Sequence, residues 1–217
     1  SVVLDAARDV APSGVAVWHG RTPRRRMYLG ARTSSSAPFV RENNVRFVVN
    51  ASNAHLVPRA DYAKWARGVE QLEADGVLRR VLRLGWADFA SQSLLEDDAL
   101  QRAVRFIDDA LCDGGGGDGD ADDDDATLVV HCMQGKSRSV SVVVAYLVTK
   151  CGHTLQHAFE LVRRVNRGER VNDGFKRMLA ELECRHHGLA RTTLVDYHRA
   201  PRTAASSDDD DTDDACA

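Results

Sequence analysis

The stretch Val129-Val130-His131-Cys132-Met133-Gln134-Gly135-Lys136-Ser137-Arg138-Ser139 decides the fold. An apolar strand runs into a cysteine, five residues including a glycine follow, and an arginine opens a long apolar segment. Five residues suffice for a loop that wraps one tetrahedral anion with backbone N–H groups. A helix starting near Arg138 would aim its partial positive charge at the same spot. Arg138 offers two parallel donors to two phosphate oxygens, a geometry lysine lacks. The helix N-terminus, the loop amides, His131 and Arg138 are all expected to favour the Cys132 thiolate. A thiol that ordinarily ionises near about 8.5 can then reach roughly 3.5–7.5. The pattern reads as an ionised sulfur nucleophile held against a phosphate site.

Two plainer readings compete. A cysteine at a strand end is by itself more often inert core. Gly135-Lys136-Ser137 also resembles the end of a nucleotide-binding phosphate loop, but that motif needs a glycine five places before Gly135, where Val130 stands. His-Cys, the glycine and Ser-Arg-Ser arriving together between a strand and a helix leave chance as a poor account.

Around this stretch the chain alternates strands and helices. Val15–Trp18 and Met27–Leu29 read as short strands about a basic turn containing Arg21, Arg24, Arg25 and Arg26. Phe39 to Asn44 reads as a short helix, Val45–Val49 as a buried strand ending at Asn50, and Arg80 to Leu84 as another strand. Trp65, Val69 and Leu72 give Tyr62 to Ala74 an apolar helical face; Leu100, Val104, Ile107 and Leu111 give one to a helix capped by Asp97 or Asp98. Leu128–Val130 is a central strand, and helices are expected over Leu155–Val165 and Gly174–Glu183. Val140–Val148 would suit a strand by propensity. The phosphate chemistry instead requires a helix from near Arg138, with Lys150 and Gly152 as its end, and so nearly apolar a helix must lie at the centre of the fold. The fold class expected is α/β: a single domain with a central mixed or parallel sheet flanked by helices.

A chain of 217 residues carries one good core and little more. Of its 32 acidic residues, 13 fall in two runs free of Lys and Arg, at 113–125 and 208–214; without them 19 acids face 29 basic residues. A basic body suits phosphate-bearing partners, and equally an evenly solvated surface. Residues 113–125 should form a disordered insert, 1–13 an N-terminal extension, 14–188 the folded domain and 189–217 a disordered acidic tail. Five widely spaced cysteines without a CxxC pair point to a reducing compartment, cytoplasmic or nuclear. No apolar run is long enough to span a membrane. Cys151, His153 and His157, or Cys184, His186 and His187, match no standard zinc spacing, so neither metal nor cofactor is expected.

The motif His131-Cys132-x-x-Gly135-x-Ser137-Arg138-Ser139 resembles the active-site signature of the dual-specificity protein phosphatases, within the protein tyrosine phosphatase superfamily. The likeness extends over about residues 14–188, through Met27-Tyr28-Leu29-Gly30, Val48-Val49-Asn50, Ala145-Tyr146-Leu147 and then Asn172, Phe175 and Leu179. It implies a cysteinyl-phosphate mechanism with Cys132 as nucleophile and Arg138 as clamp. His131, Met133, Gln134, Gly135, Lys136 and Ser137 would form the phosphate-binding loop, and Ser139 would bond the departing thiolate. His131 is expected to be a structural partner of the loop rather than a proton shuttle.

The resemblance also implies a general acid, Asp88 in Gly85-Trp86-Ala87-Asp88-Phe89. It precedes Cys132 by 44 residues, or 31 with the 13-residue insert set aside. Glu96, Asp97 and Asp98 compete, with helix capping as their plainer role. The chain departs from the family at Arg167-Gly168, where proline is common, and at Val148, where methionine is usual; the insert could alter substrate access. The substrates implied are proteins phosphorylated on tyrosine and serine/threonine, with neither nucleic acid nor membrane as partner. A phosphoinositide phosphatase, with Lys136 attracting a second phosphate, is one alternative, and a non-catalytic phosphate-binding module another. An acidic thiolate should be peroxide-sensitive, with Cys112 the candidate partner for a protecting disulfide.

Overall fold

The computed structural model describes residues 16–19, 26–53, 59–95, 98–112 and 127–195. The N-terminal extension, the basic turn before Arg26 and both acidic runs lie outside them, as do Glu96 and Asp97.

Five strands, β1 (Ala16–His19), β2 (Arg26–Gly30), β3 (Val45–Asn50), β4 (Arg80–Arg83) and β5 (Thr127–His131), form one sheet in the order β1-β2-β5-β3-β4. β2, β5, β3 and β4 run parallel, and β1 pairs antiparallel with β2 at the edge. Because successive side chains alternate faces, each parallel strand is apolar on both. Met27, Leu29, Phe47, Val49, Leu128 and Val130 face one core; Tyr28, Val48 and Val129 face the other. Val45 joins the second face although two residues from Phe47, because the β3–β5 register shifts between them.

The smaller face is covered by α1 (Ala37–Glu42) and α2 (Arg59–Ala74), which starts three residues before the expected Tyr62. The larger is covered by α3 (Ala99–Cys112), α4 (Arg138–Thr149), α5 (Leu155–Val165) and α6 (Asp173–His187). The valine-rich segment is helical: every residue of α4 from Arg138 to Val148 is buried, packed against β5, α3, α5 and α6. Tertiary enclosure overrides the strand preference of its valines.

Two expectations need correction. The body does not end near Gly188, where a left-handed C-cap closes α6. Residues 189–195 turn back over the fold, and Leu194 is buried in the main core. They are held by Glu183, a carboxylate with no exposed surface, which accepts from the Leu155 amide, the Thr193 amide and the hydroxyls of Thr192 and Thr193. Aperiodic sequence concealed a strap anchored by one buried acid.

The second concerns Cys112 as a disulfide partner of Cys132. The insert joins the C-terminus of α3 to the N-terminus of β5, whereas Cys132 follows that strand's C-terminus. Asp109 in the last turn of α3 pairs with Arg80 at the start of β4, and Asp108 with Lys150 at the far end of α4. A helix the length of α4 separates those ends by about 18 Å. The backbone of Cys112 therefore stands at the opposite end of the sheet from Cys132, well beyond the Cα separation of about 7 Å that a disulfide can bridge.

Candidate active site

The loop after β5 closes around the Cys132 sulfur. The Gly135 amide donates to Sγ at 3.2 Å and the Ser139 hydroxyl at 3.3 Å. Burial alone would raise this thiol. Hydrogen bonds from the Ser139 hydroxyl and amide, the Arg138 charge and the Gln134 amide outweigh it and hold the thiol below its ordinary value.

His131 adds no charge to this field, contrary to expectation. It is fully buried, and desolvation lowers its pKa to about 4 against a weak opposing contact with the Cys132 carbonyl, so the ring is neutral at pH 7. Its edge packs on Trp65, with ring centres 5.4 Å apart.

The loop is held from outside through its carbonyls, which leaves amides for its interior. Met133 O accepts from the Arg32 amide, Gly135 O from Asn166 Nδ2 at 2.8 Å, Lys136 O from the Arg170 amide at 2.8 Å, and Ser137 O from Ser141 Oγ. Gly135 has φ +74°, and a Cβ there would stand 2.8 Å from the Gly30 carbonyl carbon, so both conformation and space require glycine.

Arg138 is anchored at the base of the site, Nη1 donating to Trp86 O at 3.1 Å. Its Nε is buried without a hydrogen bond and lies 3.5 Å from Asp88 Oδ2. Asp88 reaches the site from the irregular loop after β4. Its Oδ1 accepts from Ser137 Oγ at 2.6 Å and Asn172 Nδ2 at 3.0 Å. Asp88, Cys132, Lys136, Arg138 and Arg170 line one cleft of about 410 Å³. Asp98 is elsewhere, paired with Arg102 and Arg105 on the surface of α3.

Met133, Gln134 and Ser137 complete the cleft wall. Asn166, Arg170, Asn172 and the Trp86 carbonyl escaped sequence reasoning as site groups; Asn166, Arg170 and Trp86 meet motif residues at least 30 positions away, and Asn172 meets Asp88. Among the described residues no cluster of His, Cys, Asp or Glu is arranged to hold a metal, and no helix is long and apolar enough to cross a membrane.

The family model described as dual specificity phosphatase, catalytic domain, matches residues 27–185. Dual specificity protein phosphatase 1 of Arabidopsis thaliana is 42% identical over 80 residues, which cover 37% of this chain and 35% of that protein. The PHS1 phosphatase of the same plant is 44% identical over 61 residues, 28% of this chain and 7% of that protein, so these matches span well under two thirds of the relatives' length. Mouse dual specificity phosphatase 28 is 29% identical over 161 residues, 71% of this chain and 90% of that protein. The crystal structure of human DUSP28 superposes with a TM-score of 0.54 at 25% identity, covering 75% of this chain and 94% of that one. The family match takes in the cysteine motif and the strands β3, β4 and β5, and the chain belongs to the dual specificity phosphatase catalytic-domain family.

Proposed function

We propose that this chain hydrolyses phosphate monoesters on proteins, at phosphotyrosine and at phosphoserine/threonine, through a cysteinyl-phosphate intermediate. The observation that carries the proposal is the Cys132 sulfur, held by the Gly135 amide and the Ser139 hydroxyl beside a buried, anchored guanidinium. Loop amides and Arg138 bind the three non-bridging oxygens, and Sγ attacks phosphorus in line with the leaving oxygen. As the P–O bond breaks, protonated Asp88 gives its proton to the departing alkoxide or phenoxide. Water then loses a proton to the Asp88 carboxylate and attacks phosphorus. The S–P bond breaks, inorganic phosphate forms, and the returning thiolate accepts the Ser139 hydroxyl. A reducing compartment suits such a thiolate, whose ionised sulfur is open to oxidation.

Turnover of an aryl phosphate and of a phosphopeptide panel tests this. Steady hydrolysis that disappears in Cys132→Ser, while that variant still captures phosphopeptides, is expected. Binding without turnover by the parent chain would make it a phosphate-binding module. Lys136 and Arg170 on the cleft wall make phosphoinositides the necessary comparison; faster turnover of lipid than of every peptide would overturn the protein substrate.

A further inference from the structure

From the way the first turn of α6 grips the loop carrying Asp88, we propose that Asn172 is the positioning residue for the general acid, selecting Oδ2 as the oxygen that delivers the proton. This rests on the role of Asp88 proposed above.

The loop from Leu84 to Gln92 has no helix or strand of its own, yet a proton must be placed within hydrogen-bond reach of the leaving oxygen. Three residues at the start of α6 contact three alternate residues of the loop. The Phe175 ring packs on Trp86, ring centres 6.4 Å apart. Asn172 Nδ2 donates to Asp88 Oδ1 at 3.0 Å. Gly174 abuts Ala90 so closely that a Cβ would overlap the Ala90 carbonyl. Phe175 and Trp86 are both buried, so the first turn of α6 acts as a rigid template along the loop.

Within that template Asn172 has no freedom. Its Oδ1 caps α6 by accepting from the Phe175 amide at 2.9 Å, which fixes the amide so that Nδ2 must point at Asp88. Among the described residues the other two groups that touch Asp88, Ser137 Oγ and Arg138 Nε, belong to the phosphate-binding segment, and a bound phosphate would compete for the guanidinium. Asn172 is the holder rooted outside it.

The two donors from Ser137 and Asn172 converge on Oδ1. In a protonated carboxyl the oxygen that accepts two hydrogen bonds is the carbonyl-like one, so the proton resides on Oδ2. Oδ2 is the oxygen turned toward Arg138, and so toward the phosphoryl group that Arg138 would hold.

The test compares Asn172→Ser and Asn172→Thr with the parent chain and with Asp88→Asn. Both replacements keep a capping oxygen, and both remove the Nδ2 that donates to Asp88. Expected is a loss of kcat/KM of roughly ten- to hundredfold on alkyl and unactivated phenyl phosphates, the scale of a misplaced catalytic group. A dinitrophenyl phosphate, whose leaving group needs no proton, should change less than about twofold. A uniform loss across leaving groups, or none, in a variant with the parent's unfolding temperature would overturn the inference. Should Asn172→Ser fail to fold, Asn172→Thr gives the same reading. If Asp88→Asn itself shows no leaving-group dependence, the acid has been misassigned and both readings fall. If Asp88→Asn shows it and the Asn172 variants do not, only the positioning role falls.

Discussion

Ser139 Oγ lies 3.3 Å from Cys132 Sγ, in the first turn of α4 yet directed back at the loop that precedes it. The hydroxyl has one proton to give and gives it to sulfur. Ser139→Ala should therefore raise the pH midpoint of Cys132 alkylation by about one unit, the size of a hydrogen bond to a charged group. The second step should slow more than the first, so that phosphoenzyme accumulates; iodoacetamide rates against pH and rapid-quench trapping measure the two effects. An unchanged midpoint would mean that the amides and Arg138 suffice.

Gly135→Ala should abolish turnover. The left-handed backbone costs a non-glycine residue about 1–2 kcal/mol, and the new Cβ meets the Gly30 and Ala31 backbone, which cannot swing aside. Calorimetry should find a lower unfolding temperature together with loss of aryl phosphatase activity.

Ending the chain after Gly188 rather than after Val195 should destabilise the body by about 3–5 kcal/mol, combining Leu194 burial with the orphaning of Glu183. In a domain of this size that is a drop of roughly 10 °C. Burial raises the Glu183 carboxyl, but bonds from Leu155, Thr192 and Thr193 outweigh it and hold the group below the usual range. A depressed carboxyl contributes stability above its unfolded pKa and loses it as pH falls. The chain ending at Val195 should therefore lose stability in acid more steeply than Glu183→Gln, as denaturant midpoints between neutral and acid pH would show.

His131 makes a similar prediction with a different window. Its pKa falls from 6.5 to about 4, so unfolding takes up a proton between those limits, and stability present above 6.5 is lost toward 4. The full loss approaches about 3 kcal/mol. His131→Gln should flatten this part of the curve. The activity profile of the parent should show no inflection belonging to His131 from pH 5 to 8.

The cysteine motif was legible because its parts are contiguous. Strand, turn and helix start fall within eleven residues, and the chemistry demands each type where it stands. The valines of α4 were legible only through that chemistry, since propensity favoured a strand and burial on all sides decided otherwise. Asn172 could be placed near the start of the last helix by resemblance. Its bond to Asp88, 84 residues distant, follows from how α6 packs and leaves no local trace. Leu194 was hidden for a related reason: one apolar residue in an aperiodic run has no face, and its burial depends on Glu183 meeting the two threonines beside it. The neutrality of His131 likewise required knowing that Trp65 walls it off.

The residues that enter and leave the aspartate-rich insert stand on the rim of the sheet away from the cleft. The cleft and the two anchor points of the insert thus occupy opposite poles of one body. The α3–β5 crossover is therefore the junction at which to splice a reporter, with hydrolysis at the cleft expected to survive it.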